Sequence, residues 1–299
     1  MPAMHVATDP DSRPAGARLD ARTVAALRDE ALDVARAAGL AIADVYGEGG
    51  SGVDAVRVDT KADATPVTAA DMAAHALIVD ELGALHPHLP VLSEESDAVP
   101  FDERSAWPAY WLVDPLDGTR EFLRKNGEFT VNIALVQDHR PVLGVIVAPV
   151  LDVAYHASAG GGAWKTVGGA DPVPIRVREA PRSGVTVARS RCPVTGPRMQ
   201  RFLDALGTHD EIPMGASLKS CLVAEGAADV YARLGPTGEW DTAAAQIIVE
   251  EAGGRLLDTG RRELRYNTRE SLINPDFVVF GDDSVDWIER LGTGRAAAR

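Results

Sequence analysis

The fold of this chain can be approached from one stretch, Trp111-Leu-Val-Asp-Pro-Leu-Asp-Gly-Thr-Arg-Glu-Phe122. Its first three residues are apolar and predict the end of a buried strand. Asp114 and Asp117 follow on either side of Pro115, which fixes its own φ and favours extended geometry for the residue before it. Gly118 permits a tight reversal. The sequence therefore predicts a stiff loop at a strand end that holds two carboxylates close together.

Two neighbouring carboxylates repel each other unless a cation lies between them, and hard divalent cations prefer such oxygen ligands. The same residues have a simpler interpretation, because Asp-Pro and Asp-Gly are also common in turns. For the short string alone, a plain turn is favoured by roughly two to one. Other acidic residues at suitable places along the chain shift the interpretation towards a metal site.

The composition is that of a globular protein with a substantial core, since the 299 residues are 45% hydrophobic and 25% charged. Length alone suggests one large domain or two. The formal net charge of −14 argues against a nucleic-acid polymer as partner, because such partners need a broad basic surface. A chain this acidic could bind an anionic substrate only where divalent cations reverse the local field.

The predicted location is the cytoplasm, with peripheral contact to the inner membrane left open. Cys192 and Cys221 lack zinc-type spacing and fit free thiols in a reducing compartment. The N-terminus has no apolar signal core. The longest apolar stretch, 142–151, contains Gly144 and Pro149 and is too short to span a bilayer, so no transmembrane segment is expected.

The pattern of elements predicts two unlike halves. A helical stripe over 20–46 and Val- and Ile-rich segments between 129 and 157 indicate helices beside an antiparallel meander. Later segments alternate between helix and strand, as in an α/β sheet. The predicted organisation is a disordered leader, an N-terminal α+β metal-binding subdomain, a C-terminal α/β subdomain and a frayed tail, over 1–18, 19–160, 161–290 and 291–299 respectively.

Three further acids lie at the starts or ends of predicted elements. Asp71 falls in the first turn of a helix with a capping-box-like start, and Glu94 follows a short strand. Asp241 begins an Ala-rich helix, where a plain capping role is favoured by about two to one. All three residues offer oxygen ligands, but only the fold can bring them together.

The order of three acidic strings resembles the signatures of the inositol monophosphatase family, which comprises lithium-sensitive, magnesium-dependent phosphatases. The strings are Glu94-Glu-Ser96, Asp114-Pro-Leu-Asp-Gly-Thr119 and Trp240-Asp-Thr-Ala-Ala244. Longer strings are similar to the 3'(2'),5'-bisphosphate nucleotidase branch of CysQ type: Lys61-Ala-Asp with Pro66–Asp71, Asp114–Phe122 with Asn126–Asn132, and Ser217-Leu-Lys219 with Cys221–Gly226. The resemblance covers roughly residues 20–285.

The resemblance implies roles for residues at matching positions. The implied metal ligands, for two or three Mg²⁺ ions, are Glu94, Asp114, Asp117, Asp241 and the carbonyl of Leu116. Asp114 would bridge two of the ions. The implied catalytic set is Asp71, Thr119 and Glu94, with Asp71 and Thr119 holding the attacking water.

The resemblance also implies a substrate-binding set, comprising Glu94, Leu116, Asp117, Gly118, Thr119, Ser217, Lys219, Arg233 and Asp241. Within this set, Gly118 and Thr119 would present backbone N–H groups to the phosphate. Lys219, Ser217 and Arg233 would face a second phosphate. Ala216 stands where the branch often has a serine, which removes one expected phosphate contact.

The predicted function is Mg²⁺-dependent removal of the 3'-phosphate from adenosine 3',5'-bisphosphate by metal-activated water. By resemblance, the activity extends to 3'-phosphoadenylyl sulfate and belongs to sulfur assimilation. The expected fold is a layered α-β-α-β-α sandwich of the sugar phosphatase type, as a monomer or homodimer. The alternative on the same scaffold is an inositol or sugar phosphate monophosphatase. A catalytically silent binding protein is disfavoured, because no implied ligand or water-positioning residue is missing.

Overall fold

The computed structural model describes residues 18–48, 58–60, 66–191 and 196–292. The leader predicted for 1–18 and the tail predicted for 291–299 lie almost entirely outside these ranges, and the Lys61-Ala-Asp string lies wholly outside them.

The first half consists of two long helices against a seven-stranded sheet. The helices are α1 (Ala21–Glu48) and α2 (Ala69–Ala84), with a small antiparallel pair between them, β1 (Val58–Thr60) and β2 (Pro66–Thr68). The sheet contains β3 (Val91–Ser93), β4 (Ala109–Asp117), β5 (Thr130–Gln137), β6 (Arg140–Ala148), β7 (Val153–Ser158), β8 (Ala163–Val167) and β9 (Val173–Ile175), in that order. Within the described strands of this sheet, β3 pairs with β4 in parallel and the later pairs are antiparallel, as the predicted meander requires. Two short helices, α3 (Phe101–Arg104) and α4 (Thr119–Leu123), flank β4.

The seven-stranded sheet continues past the predicted subdomain boundary at residue 160. Gly160 and Gly162 have φ values of 74° and 72° and form the turn between β7 and β8. Strands β8 and β9 then extend the same sheet to Ile175. The boundary predicted at residue 160 therefore falls at a turn inside one sheet, because Gly-rich turns join hairpin strands as readily as they separate subdomains.

The second half is built on a mixed five-stranded sheet in the order β11-β10-β12-β14-β13. Its strands are β10 (Val185–Arg189), β11 (His209–Pro213), β12 (Val230–Arg233), β13 (Arg255–Asp258) and β14 (Phe277–Phe280). Strand β10 is parallel to β11 and β12, whereas β14 is antiparallel to β12 and β13. The helices are α5 (Pro197–Leu206), α6 (Leu218–Ala224), α7 (Ala243–Glu251) and α8 (Trp287–Arg290), and a 3-10 turn spans Glu239–Asp241.

Three apolar clusters join these elements into five layers. Helices α1 and α2 cover one face of the larger sheet, where Trp111 is fully buried. Helices α6 and α7 lie between the two sheets, and α7 packs directly on Gly144 of β6, where a Cβ would be 2.5 Å from the carbonyl oxygen of Ala244. Helices α5 and α8 cover the outer face of the smaller sheet through Phe202 and Trp287. This arrangement confirms the predicted α-β-α-β-α layering.

Candidate active site

Strand β4 carries two acids through an irregularity in its pairing with β5. The register runs regularly to Asp114, which lies opposite Asn132, then shifts and resumes with Asp117 opposite Thr130. Pro115 has no N–H to donate to the ladder. The N–H of Leu116 instead donates to Asp114 Oδ1 at 3.0 Å. The predicted loop at the strand end is therefore a bulge within β4, which continues to Asp117.

Three carboxylates from distant parts of the sequence meet beside this bulge. Glu94 follows β3, and its N–H donates to the carbonyl of Val113 at 3.0 Å, which places it next to Asp114. Asp241 ends the 3-10 turn before α7, and its Oδ2 accepts the N–H of Gly238 at 2.9 Å. One carboxylate oxygen from each of Glu94, Asp114 and Asp241 lies within 4.8 Å of the others. The two halves of the chain thus contribute to one acidic cluster.

The cluster is electrostatically unfavourable on its own. Burial, and then the charges of Glu94, Asp117 and Asp241, raise the pKa of Asp114 well above its ordinary value. Burial, followed by Asp117 and Glu94, raises the pKa of Asp241 to about 8. Asp114 is buried, whereas Glu94 and Asp241 are half-buried. Like charges this close together are stabilised by a bound cation, and a donor set made only of carboxylate oxygens suits a hard divalent ion. The residues present therefore fit a metal site.

Polar side chains from both halves hold Asp117. Ser217 Oγ lies 2.6 Å from Asp117 Oδ2 and 2.8 Å from the carbonyl oxygen of Asp241. Asn132 Nδ2 donates to Ser217 Oγ at 3.0 Å. The hydroxyl of Ser217, which the resemblance assigns to a second phosphate, is thus engaged with the acids. No site role was predicted for Asn132, although it ends the Asn126–Asn132 string that carries part of the resemblance.

The structure brings the predicted water-positioning pair together. Thr119, the first residue of α4, directs Oγ1 at Asp71 Oδ1 in the first turn of α2, at 3.4 Å. Gly118 precedes it with φ 94°, and a Cβ there would be 3.3 Å from the Cβ of Ala216. Leu116 is buried among the apolar residues of the larger sheet. The Gly118–Thr119 turn therefore lies between the acidic cluster and the loop before α6.

A cavity of about 570 Å³ opens next to the acids and is lined by Asp117, Gly118, Ser217 and Asp241. Its lining also contains cationic side chains, namely Arg120, Arg124, Arg189, Arg198, Lys219 and Arg233. Lys219 Nζ donates to the carbonyl of Ala216 and lies 5.4 Å from the ring centroid of Tyr231. Arg233 Nη2 donates to the carbonyl of Pro236 at 2.9 Å. A chain with net charge −14 thus has a locally basic cavity beside its acidic cluster.

Four of these arginines were not identified from the sequence. Arg120 lies in α4 and Arg124 is the residue directly after it, and their spacing of four positions could have marked a common face. Arg189 is the last residue of β10 and Arg198 is the second residue of α5, so only the topology of the smaller sheet brings them to the cavity.

No helix in the described part of the chain combines the length and apolar character needed to cross a membrane.

Comparison with known proteins relates this geometry to a family. The profile of the inositol monophosphatase family matches residues 24–281. The chain is 48% identical to the 3'(2'),5'-bisphosphate nucleotidase CysQ of Shigella flexneri and to that of Escherichia coli K12, over 84% of this chain and 98% of each relative. Its structure is similar to that of CysQ from Bacteroides thetaiotaomicron, a bacterial member of the inositol monophosphatase family, with TM-score 0.75 and 39% identity over 86% of this chain and 97% of that one. The extragenic suppressor protein suhB of Bartonella henselae is also similar, with TM-score 0.72 and 26% identity over 90% of this chain and 99% of that one.

Proposed function

This chain belongs to the inositol monophosphatase family, and from that premise we propose that it removes the 3'-phosphate of adenosine 3',5'-bisphosphate with the help of bound Mg²⁺. The observation that carries the proposal is the position of a basic cavity directly beside a carboxylate cluster. Relatives at 48% identity that bear the name 3'(2'),5'-bisphosphate nucleotidase support the choice of substrate.

The proposed metal ligands are Glu94, Asp114, Asp117, Asp241 and the carbonyl of Leu116, which together would hold two or three ions. When bound, divalent cations would offset the charge of the phosphate ester and lower the pKa of a coordinated water. The charge of the acids is then an advantage, because it concentrates cations at the one place where the ester must lie.

Thr119 and Asp71 are the proposed water-positioning residues. Because the Thr119 hydroxyl donates to Asp71 Oδ1, its lone pairs can accept a hydrogen bond from a water molecule. In general-base catalysis the water would pass its proton to Thr119 Oγ1 as Thr119 passes its own to Asp71. The water oxygen would bond to phosphorus, and the bond from phosphorus to the 3'-oxygen of the ribose would break. That oxygen would take up a proton from solvent and leave as the hydroxyl, and Asp71 would release its proton to solvent.

The cavity is suited to the rest of a nucleoside bisphosphate. Its volume of about 570 Å³ lies within the usual range for small-molecule sites. We assign the N–H groups of Gly118 and Thr119 to the reacting phosphate, and Lys219 and Arg233 to the second phosphate. Ser217 would lie between the sites of the two phosphates, because its hydroxyl contacts Asp117. An inositol phosphate has no second phosphate to use these cations.

Phosphate release from a small panel tests the proposal. The substrates are adenosine 3',5'-bisphosphate, 3'-phosphoadenylyl sulfate, inositol 1-phosphate and, as a control without a 3'-phosphate, adenosine 5'-monophosphate. We expect turnover of the 3'-phosphorylated nucleotides with Mg²⁺ and none after chelation. A large preference for inositol 1-phosphate would overturn the nucleotide assignment and favour the monophosphatase alternative.

A further inference from the structure

A buried carboxylate two residues before β5 connects the two halves of the protein close to the cavity. Glu128 is 5% exposed. Its Oε2 accepts the N–H of Gly215 at 2.9 Å and the Nε of Arg191 at 2.6 Å, while its Oε1 accepts Nη2 of the same guanidinium. Glu128 belongs to the first half of the chain, whereas Arg191 and Gly215 belong to the second. The metal cluster and its supporting contacts do not account for this pair.

Glu128 acts on a short loop that forms part of the cavity wall. At Gly215, a Cβ would be 2.5 Å from the carbonyl oxygen of Glu128 and 2.6 Å from Cγ of Glu121, so the loop packs tightly against the first half. Ala216 has a φ of 46°, which only a well-supported loop tolerates in a residue with a Cβ. The next residue, Ser217, contacts Asp117. The loop is therefore held at one end by Glu128 and at the other by the acids.

The same loop determines where the substrate-side groups lie. Ala216 packs against Gly118, where a Cβ would be 3.3 Å from its own Cβ, and the Ala216 carbonyl accepts a hydrogen bond from the ammonium of Lys219. A shift of Gly215 would move Ala216, and with it both this part of the cavity wall and the carbonyl oxygen that orients Lys219. Glu94 and Asp241 of the acidic cluster also have contacts of their own outside this loop, through the hydrogen bond from Glu94 to Val113 and through the turn before α7.

We propose that Glu128, oriented by Arg191, is a positioning residue that sets the distance between the acids and the substrate-side wall of the cavity. This inference rests on the proposed function for its effect on catalysis. Because Glu128 acts on the wall that binds substrate, its loss should raise KM more than it lowers kcat.

The chain offers a matched control for this pair. Asp229 is also buried, accepts Nε and Nη2 of Arg178 at 2.7 and 2.8 Å, and accepts the N–H of Thr186 at 2.6 Å. It precedes β12 and is not among the residues that line the cavity. Both pairs thus combine one carboxylate, one bidentate arginine and one backbone N–H, but only the Glu128 pair touches the cavity loop.

The test compares Glu128→Gln, Arg191→Met and the control Asp229→Asn in the full chain. Kinetics are measured with whichever panel substrate the wild type hydrolyses best, so a wrong choice of nucleotide does not decide the result. Loss of a charge-assisted hydrogen bond predicts a KM raised by roughly tenfold in Glu128→Gln, with kcat within about twofold. Arg191→Met should show a smaller rise, and Asp229→Asn none, although its melting temperature falls.

Amide hydrogen exchange of residues 214–220 provides a readout that does not require activity. We expect faster exchange there in Glu128→Gln and Arg191→Met, and wild-type exchange in Asp229→Asn. Two results would overturn the proposal. One is unchanged amide exchange in this loop, and the other is a Glu128→Gln variant that loses stability as Asp229→Asn does but keeps the wild-type KM.

Discussion

Replacing Asp241 with Asn should stabilise the metal-free protein while weakening its response to Mg²⁺. The pKa of this carboxyl is raised from 3.8 in a free chain to about 8 in the fold, by burial and then by Asp117 and Glu94. Well below pH 3.8 both states hold the proton, and the group has no effect. As the pH rises towards 8, the unfolded chain releases a proton that the fold retains, so the free energy of unfolding falls.

The size of this effect follows from the pKa difference. At pH 7 the difference corresponds to a destabilisation on the order of 4 kcal/mol, since each pKa unit is about 1.4 kcal/mol. Asparagine carries no charge, and its carbonyl can still accept the N–H of Gly238 that Asp241 accepts now. The variant should therefore be more stable than the wild type by up to about 4 kcal/mol at pH 7, and by much less at pH 5.

Urea unfolding in the presence of a chelator, at both pH values, measures this difference. Asp229→Asn is the control, because its carboxylate is paired with Arg178 and its loss should destabilise the fold by about 2 kcal/mol at either pH. Adding Mg²⁺ should stabilise the wild type and leave Asp241→Asn nearly unchanged. An Asp241→Asn variant that is less stable than the wild type at both pH values would refute the reasoning.

Three further substitutions test the site. Thr119→Ala should lower kcat by about 100-fold with little change in KM, because the hydroxyl that connects Asp71 to the water is lost. Thr119→Ser keeps a hydroxyl and should retain most of the activity, so an equal loss in both variants would contradict this role. Lys219→Ala should raise the KM for adenosine 3',5'-bisphosphate by about tenfold, because the second phosphate loses a charge-assisted hydrogen bond. The KM for inositol 1-phosphate should not change, and equal effects on the two substrates would argue against the second-phosphate subsite. Gly118→Ala should lower the free energy of unfolding in urea by about 1–2 kcal/mol, because the residue has φ 94° and a Cβ there would be 3.3 Å from the Cβ of Ala216. An unchanged free energy of unfolding would show that the turn can relax.

The sequence was most informative for features that short motifs and the alternation of helices and strands specify. The acids at positions 94, 114 and 241 were identified from short strings and do meet in the fold. Thr119 and Asp71 were paired in the prediction and contact each other. The alternation of elements in the second half predicted an α/β sheet, and the sheet formed by β10 to β14 is of this kind. Their roles in binding metal and water remain predictions.

The sequence was less informative where the structure depends on contacts between distant residues. The bulge in β4 could not be distinguished from a strand end, because Pro115 and Gly118 suit both. Arg189 and Arg198 reach the cavity only through the strand order of the smaller sheet. The pairing of Glu128 with Arg191 spans 63 positions, and no local pattern indicates it. Such contacts are set by topology, which residue types and spacing do not encode directly.

Carboxylates from both halves of the chain are proposed to bind the same divalent cations, and this is the central claim. Calorimetric titration of Mg²⁺ into metal-free wild type, Asp114→Asn and Asp241→Asn tests it most directly, with Asp229→Asn as the control. We predict that each cluster substitution weakens Mg²⁺ binding by about 100-fold, whichever half it lies in, and that the control binds as the wild type does. Wild-type affinity in Asp241→Asn would contradict the claim, because the second half would then contribute nothing to the site.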